Sequence, residues 1–166
     1  MATTYEAIAT VTVGSGGAAN IEFTSIPATY TDLQILASAR STNASLTRLY
    51  IGFNGSTSGF SNRYLQGDGT TASSGSIARF IGQLAGTNYT SNTFSSTSLY
   101  IPNYTSSNDK SMSADNVVEN NATTAYNDLS AHLFTSSSAI TSIQLSPFAG
   151  NFAQYSTATL YGIKNS

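Results

Sequence analysis

His132 is the only histidine in the chain, and Asp128 lies four residues before it. A nucleophilic triad needs an imidazole beside a hydroxyl or thiol and oriented by a carboxylate. On a strand, residues four apart share a face but stand two pleats apart, which is too far for Asp128 to orient His132 directly. A half-exposed histidine on a strand is the simpler reading. The eight acids are Glu6, Glu22, Asp32, Asp68, Asp109, Asp115, Glu119 and Asp128. Glycoside hydrolysis needs two carboxyls at a set spatial separation. No spacing singles out a pair, and there is no Trp to form a sugar platform.

The glycine-rich stretches "GSGG" (14–17) and "GDGTTASSG" (67–75) lack the Gly-Lys-Ser/Thr ending of a phosphate loop. Both read as turns. Asp68 alone falls short of the roughly six to eight oxygens that calcium takes. Cysteine is absent, so no thiolate site exists. No catalytic, cofactor or metal residue is assigned, and the chain is expected not to be an enzyme. Asn-x-Ser/Thr triplets begin at Asn43, Asn54, Asn88, Asn103 and Asn121. In a chain this rich in Ser and Thr, without a visible signal segment, they read as compositional.

Charged residues make up 8% of the chain, against about 25% in ordinary domains. The surface is therefore expected to be neutral and hydrogen-bonding, suited to dense packing against neighbours. The six cations, Arg40, Arg48, Arg63, Arg79, Lys110 and Lys164, form no run. Nucleic-acid binding needs such a cluster and is not expected. No apolar segment approaches the ~20 residues of a membrane span, and no basic-then-apolar leader is visible. A role outside the cell would then depend on lysis, on carriage by a particle, or on a signal already removed from a mature product.

The elements that must position these groups are strands. Val, Ile, Tyr, Phe and Thr alternate with polar residues over 5–13, 21–26, 31–40 and 47–54. The same pattern returns over 76–85, 93–104, 110–119, 125–136, 139–147 and 156–164. Turn residues recur every 8–12 positions or so, the all-β spacing. Residues 60–70 have a helical look, with Ser61 as a cap and Gly67 as a stop. The expectation is one domain over 1–166. It is an all-β, antiparallel β-sandwich of about ten strands, jelly-roll-like in architecture.

Ten Tyr and eight Phe remain to be placed. Tyrosine couples contact area to one hydrogen bond, which suits interfaces. The closing strand sets Ala158, Leu160 and Gly162 on one face and Thr159, Tyr161 and Ile163 on the other. Both faces carry large apolar groups. The expectation is that this strand neighbours the first one. Tyr161 and Ile163 are expected to point into the core, and Leu160 to be covered by a second subunit or a loop of the same chain. Candidate interface residues are Leu160, Tyr161, Tyr100, Tyr104 and Tyr50.

"IEFTSIPATYTDLQI" (21–35) and "STATLYGIKN" (156–165) carry a resemblance. The Phe-Thr-x-Ile-Pro element (Phe23 to Pro27), the Tyr-x-Asp-Leu element (Tyr30 to Leu33) and the Leu-Tyr-Gly-Ile-Lys strand (Leu160 to Lys164) resemble small all-β virion proteins. These belong to tailed bacteriophages, particularly those of marine and cyanobacterial hosts. The resemblance covers both ends of the chain and consists of packing motifs. It implies a non-enzymatic structural protein exposed on the virion, in multiple copies and trimeric. The first expectation is a capsid decoration or cement protein that binds the major capsid protein and stabilises the head. The alternative is a tail or fibre component whose Ser/Thr/Asn/Gly loops and tyrosines contact host glycans.

Overall fold

A computed structural model describes residues 4–120 and 125–164. The strands are β1 (Tyr5–Thr12), β2 (Ile21–Phe23), β3 (Asp32–Ala39), β4 (Thr47–Phe53), β5 (Phe60–Gly67) and β6 (Ala72–Gly75). They continue with β7 (Phe80–Leu84), β8 (Ser95–Ile101), β9 (Lys110–Glu119), β10 (Ala125–Phe134), β11 (Ile143–Pro147) and β12 (Thr157–Ile163). Among the described residues there is no helix. The strands form an antiparallel β-sandwich. One sheet has eight strands in the order β1-β12-β3-β8-β9-β10-β5-β6, and the other has four in the order β2-β11-β4-β7.

Residues 60–70, expected as a helical turn, instead form β5 and the tight turn after it. Asn62 and Tyr64 alternate with exposed Ser61 and Arg63 on this strand. The full-length pairing of β5 with β10 overrides the local cap and stop signals. Twelve strands replace the expected ten because residues 60–67 form β5 and because the four-residue β6 is too short to announce itself by alternation.

β4 shows how sequence becomes core. Leu49, Ile51 and Phe53 recur at period two and are fully buried, while Arg48, just before them on the other face, is exposed. From the facing sheet come Leu33, Ile35, Leu99, Ile101 and Leu160, in one continuous hydrophobic cluster with β4. Phe53, Phe60 and Phe134 close one end, with ring centroids 4.6–5.5 Å apart.

The first and last strands are neighbours, β1 pairing with β12. The orientation of β12 reverses the expectation for Leu160 and Tyr161, however, while Ile163 is buried as expected. Ala158, Leu160 and Gly162 face the core, and Tyr161 faces away from it. Gly162 decides this. A Cβ there would lie 2.3 Å from the Tyr30 ring, so the ring lies over the bare glycine backbone and covers that end of the core. Glycine is required by this close approach. The two apolar faces of β1 have a different origin. The register with β12 slips between Ala7 and Ala9. The extra residue, Ile8, therefore packs against the same core as Val11, three positions on.

β7 is an edge of the smaller sheet, and its free side is filled by asparagines from the larger one. Asn116 on β9 accepts from the Gln83 N–H (2.8 Å) and donates to the Gln83 carbonyl (3.2 Å). Its amide also donates to Thr97 Oγ1. Asn62 on β5 accepts from the Ile77 N–H and donates to the Phe80 carbonyl, both at 3.0 Å. Both asparagines are buried. Between these clamps, Gly82 (φ +146°) lies where a Cβ would be 2.2 Å from the Asn116 side chain.

Two buried cations order the loops. The Arg40 guanidinium donates to the carbonyls of Gly86, Tyr89, Thr90 and Thr93 at 2.7–3.0 Å. Lys110 Nζ donates to the carbonyls of Ser106, Ser136 and Ser138 at 2.7–2.8 Å. Burial lowers the pKa of both groups.

Asn116→Ala strands the Gln83 N–H and carbonyl at a buried edge. It is expected to cost about 2–5 kcal/mol and to lower the urea midpoint at an unchanged slope. Asn127→Ala, on the exposed face of β10, should stay within about 0.5 kcal/mol of wild type in the same measurement.

Candidate interaction surfaces

The residues with catalytic potential point inward. Asp128, Ser130 and His132 follow one another along the buried face of β10. Ser130 Oγ lies 2.7 Å from His132 Nε2. The order along the strand is acid, hydroxyl, imidazole, so the serine stands between the other two. A triad needs the histidine in the middle. His132 Nδ1 is buried with no hydrogen-bond partner, so no carboxylate orients the ring. Asp128 accepts from Gln66 Nε2 at 2.7 Å, and its other oxygen has no partner. Burial holds the His132 pKa down at about 4, which keeps the ring neutral. Burial raises the Asp128 pKa, with the hydrogen bond from Gln66 opposing the rise.

Other candidate groups are absorbed by the fold. Asp68 Oδ1 accepts from the N–H groups of Thr71 and Thr70 at 2.6 and 2.8 Å. The glycine-rich stretch around it is the β5–β6 hairpin turn, and the hydrogen bonds from Thr71 and Thr70 depress the Asp68 pKa. Asp109 caps the Ser136 N–H, and Glu22 accepts from Gln144. Asn54 uses both ends of its amide on the 139–142 loop. The triplet at Asn121 lies outside the described residues. Among the described residues, no three His, Cys, Asp or Glu side chains gather as metal ligands would.

The five expected interface residues separate. Leu160 and Tyr104 are fully buried within the chain's own core, so neither belongs to a surface. The face of β12 that carries Leu160 is the core face. Tyr104 packs into the same core and donates its hydroxyl to the Pro27 carbonyl. Tyr161 and Tyr100 lie on the outer face of the large sheet, two strands apart with Gln34 between them. Tyr100, 36% exposed, donates to Asp32 Oδ2 at 2.7 Å. That hydrogen bond is the main cause of its pKa being raised to about 12. Tyr50 lies on the outer face of the small sheet.

Around Tyr50 a cluster has formed that sequence reading only partly reached. The Phe148 ring meets the Tyr50 ring edge-on, with centroids 5.6 Å apart. Arg79 lies over the Tyr50 ring at 5.3 Å and Arg48 over the Phe148 ring at 5.7 Å. Arg79 Nε is anchored to the Ile51 carbonyl at 2.6 Å. Phe148 is 63% exposed. A cleft of about 380 Å³, lined by Arg48, Gln83 and Phe148 among others, lies beside it. Phe148 follows Pro147 in a stretch that reads as loop, so nothing in its spacing marked it.

The outer face of the large sheet is the second surface. On β10, Leu129 and Leu133 point outward while Asp128, Ser130 and His132 point inward. β9 is similar, with Lys110 and Asn116 inside and Val117 outside. Phe134 explains the inversion. Its ring joins the Phe53–Phe60 cluster, and period two then sends every even-numbered neighbour on β10 inward. One line of residues crosses the sheet through Leu36, Ser98, Asp115, Leu129, Leu65 and Ser74. Leu65 is 62% and Leu129 53% exposed. They border an open trough of about 710 Å³, with Arg63, Ser74, Ser76 and Ser113 around them. The alternation over 127–133 was the available signal, but periodicity does not say which face is inside.

Comparison with protein-family models, with curated proteins and with solved structures gives no match for this chain.

The buried histidine generates a pH prediction. Its folded pKa, about 4, lies below the ordinary value near 6.5. The folded state therefore binds fewer protons than the unfolded state between these values, and His132 lowers stability as pH falls from about 6.5 to 4. The loss is expected to reach a few kcal/mol. His132→Leu should flatten this limb of the stability curve when urea midpoints are compared at pH 7 and pH 4.5.

Proposed function

We propose that this chain is a non-enzymatic structural protein of a phage particle, a capsid decoration protein. It docks on the shell through the outer face of its four-stranded sheet. The observation that carries this reading is the exposed Tyr50–Phe148 pair flanked by Arg48 and Arg79. Tyrosine and arginine are the residue types on which protein–protein affinity concentrates. Each arginine is already stacked on a ring, and Arg79 is also tied to the backbone. Little side-chain freedom is then lost on binding. The sequence resemblance supplies the particle, and the neutral, Ser/Thr-rich surface agrees with close packing on a shell. Burial of His132, Ser130 and Asp128 supports a protein that works by contact. Binding that only the assembled shell offers stabilises the head by mass action.

Quantitation of purified particles tests the reading. The expected result is hundreds of copies, comparable with the major capsid protein. A count of about a dozen or fewer overturns it and favours a tail or fibre position. Tyr50→Ala combined with Phe148→Ala should weaken binding to undecorated shells by about tenfold or more. Its thermal midpoint should remain within about 3 °C of wild type, because Phe148 is exposed and Tyr50 half-buried on the outer face.

A further inference from the structure

The outer face of the large sheet is built against the usual rule. β5, β9 and β10 place Asn62, Lys110, Asn116, Asp128 and His132 inside and leave Leu65, Val117, Leu129 and Leu133 outside. With Leu36 and Tyr100 on the adjoining β3 and β8, these side chains make an apolar face of a kind that marks an interaction site. Strands about 4.8 Å apart, with a rise of about 3.3 Å per residue, give β3, β8, β9, β10 and β5 together about 700 Å² of outer face. A standard stable interface takes roughly 800 Å² from each partner. The area therefore fits a sheet-on-sheet contact with another protein surface.

Its charges identify the partner. Arg63 and Asp115 are both exposed on this face. Among the described residues, Arg63 donates to neutral groups, the Asn62 carbonyl and Ser76 Oγ, and Asp115 makes no ion pair. They stand on opposite sides of β10. Asp115 pairs in register with Leu129, and Arg63 with Ala131. A two-fold axis in the plane of the interface, passing over β10 between Leu129 and Ala131, brings Arg63 of one copy over Asp115 of the other, and the reverse. The same operation lays the Leu65–Leu129 strip of one copy against that of its mate.

We propose that this face binds a second copy of the same chain, forming a two-fold pair with an apolar centre and two symmetric Arg63–Asp115 contacts. The inference is independent of the proposed docking through the Tyr50 face, because it uses the opposite side of the sandwich. It makes the pair, rather than the trimer implied by the resemblance, the elementary assembly.

Light scattering and sedimentation of the purified full chain test it. The wild type is expected at twice the chain mass. Leu65→Glu, exposed and so compatible with folding, should shift it to the monomer while its thermal midpoint at low concentration is kept. Arg63→Glu and Asp115→Arg should each weaken pairing by about tenfold or more. A 1:1 mixture of these two variants should restore it to within about threefold of wild type, because both contacts of the mixed pair are again attractive. A monomeric or trimeric wild type overturns the proposal, as does a Leu65→Glu protein that still pairs. A mixture no better than its components overturns the two-fold geometry. A monomeric wild type that captures shell protein through Leu65 and Leu129 also overturns it, by assigning the face to that partner.

Discussion

The sandwich depends on how the free edge of β7 is satisfied. An edge strand inside a protein presents backbone donors and acceptors that water cannot reach, and each unmet group costs about as much as a side chain's worth of burial. Here Asn62 and Asn116 cross from the larger sheet and imitate a neighbouring strand. Their amides offer one donor and one acceptor in the geometry of a peptide unit. This contact fixes the distance between the sheets at β7 and the register of β5 and β9 beneath it. Gly82 is its counterpart, since any side chain there would push Asn116 out.

The inward asparagines have a consequence for the opposite face. Once Asn62, Asn116 and Phe134 are committed inside, the two-residue period of a strand sends their neighbours outside. Leu65, Val117, Leu129 and Leu133 are exposed as a result, and His132 and Asp128 are buried. The polar interior and the apolar exterior of β5, β9 and β10 are thus one arrangement. A sheet that spends its polar residues on holding its partner sheet has leucines left for contact with another molecule.

The scarcity of charge is sharpened by the same economy. Arg40 and Lys110 are withdrawn into the structure, where carbonyl oxygens, and for Arg40 also the Thr93 hydroxyl, hold them. They organise the 86–93 loop and join the 106–108 and 136–138 loops. What remains outside is a surface of hydroxyls, amides and a few aromatic or aliphatic patches. Such a surface favours contacts made by shape and burial, with little long-range steering.

The amino-acid sequence by itself determined that the chain is all-β and that its strands are antiparallel and half-buried. These follow from local periodicity, turn spacing and the absence of a helical repeat. The inner row of β4, with Leu49, Ile51 and Phe53, was equally legible. Only the tertiary structure decided which face of each strand is inside. Leu160 and Tyr161 alternate identically in either orientation, and it is the Tyr30 ring lying on Gly162 that turns Leu160 inward. The aromatic cluster at Phe53, Phe60 and Phe134 makes the same choice for β10. Tyr104 looks like any other strand-end tyrosine until Pro27 is brought to its hydroxyl from 77 residues away. Phe148 gains its place only because β11 lies beside β4. Periodicity is a property of one strand, whereas inside and outside are properties of two sheets. The physical reason is that burial is settled by contacts between residues far apart in sequence, which no local pattern records.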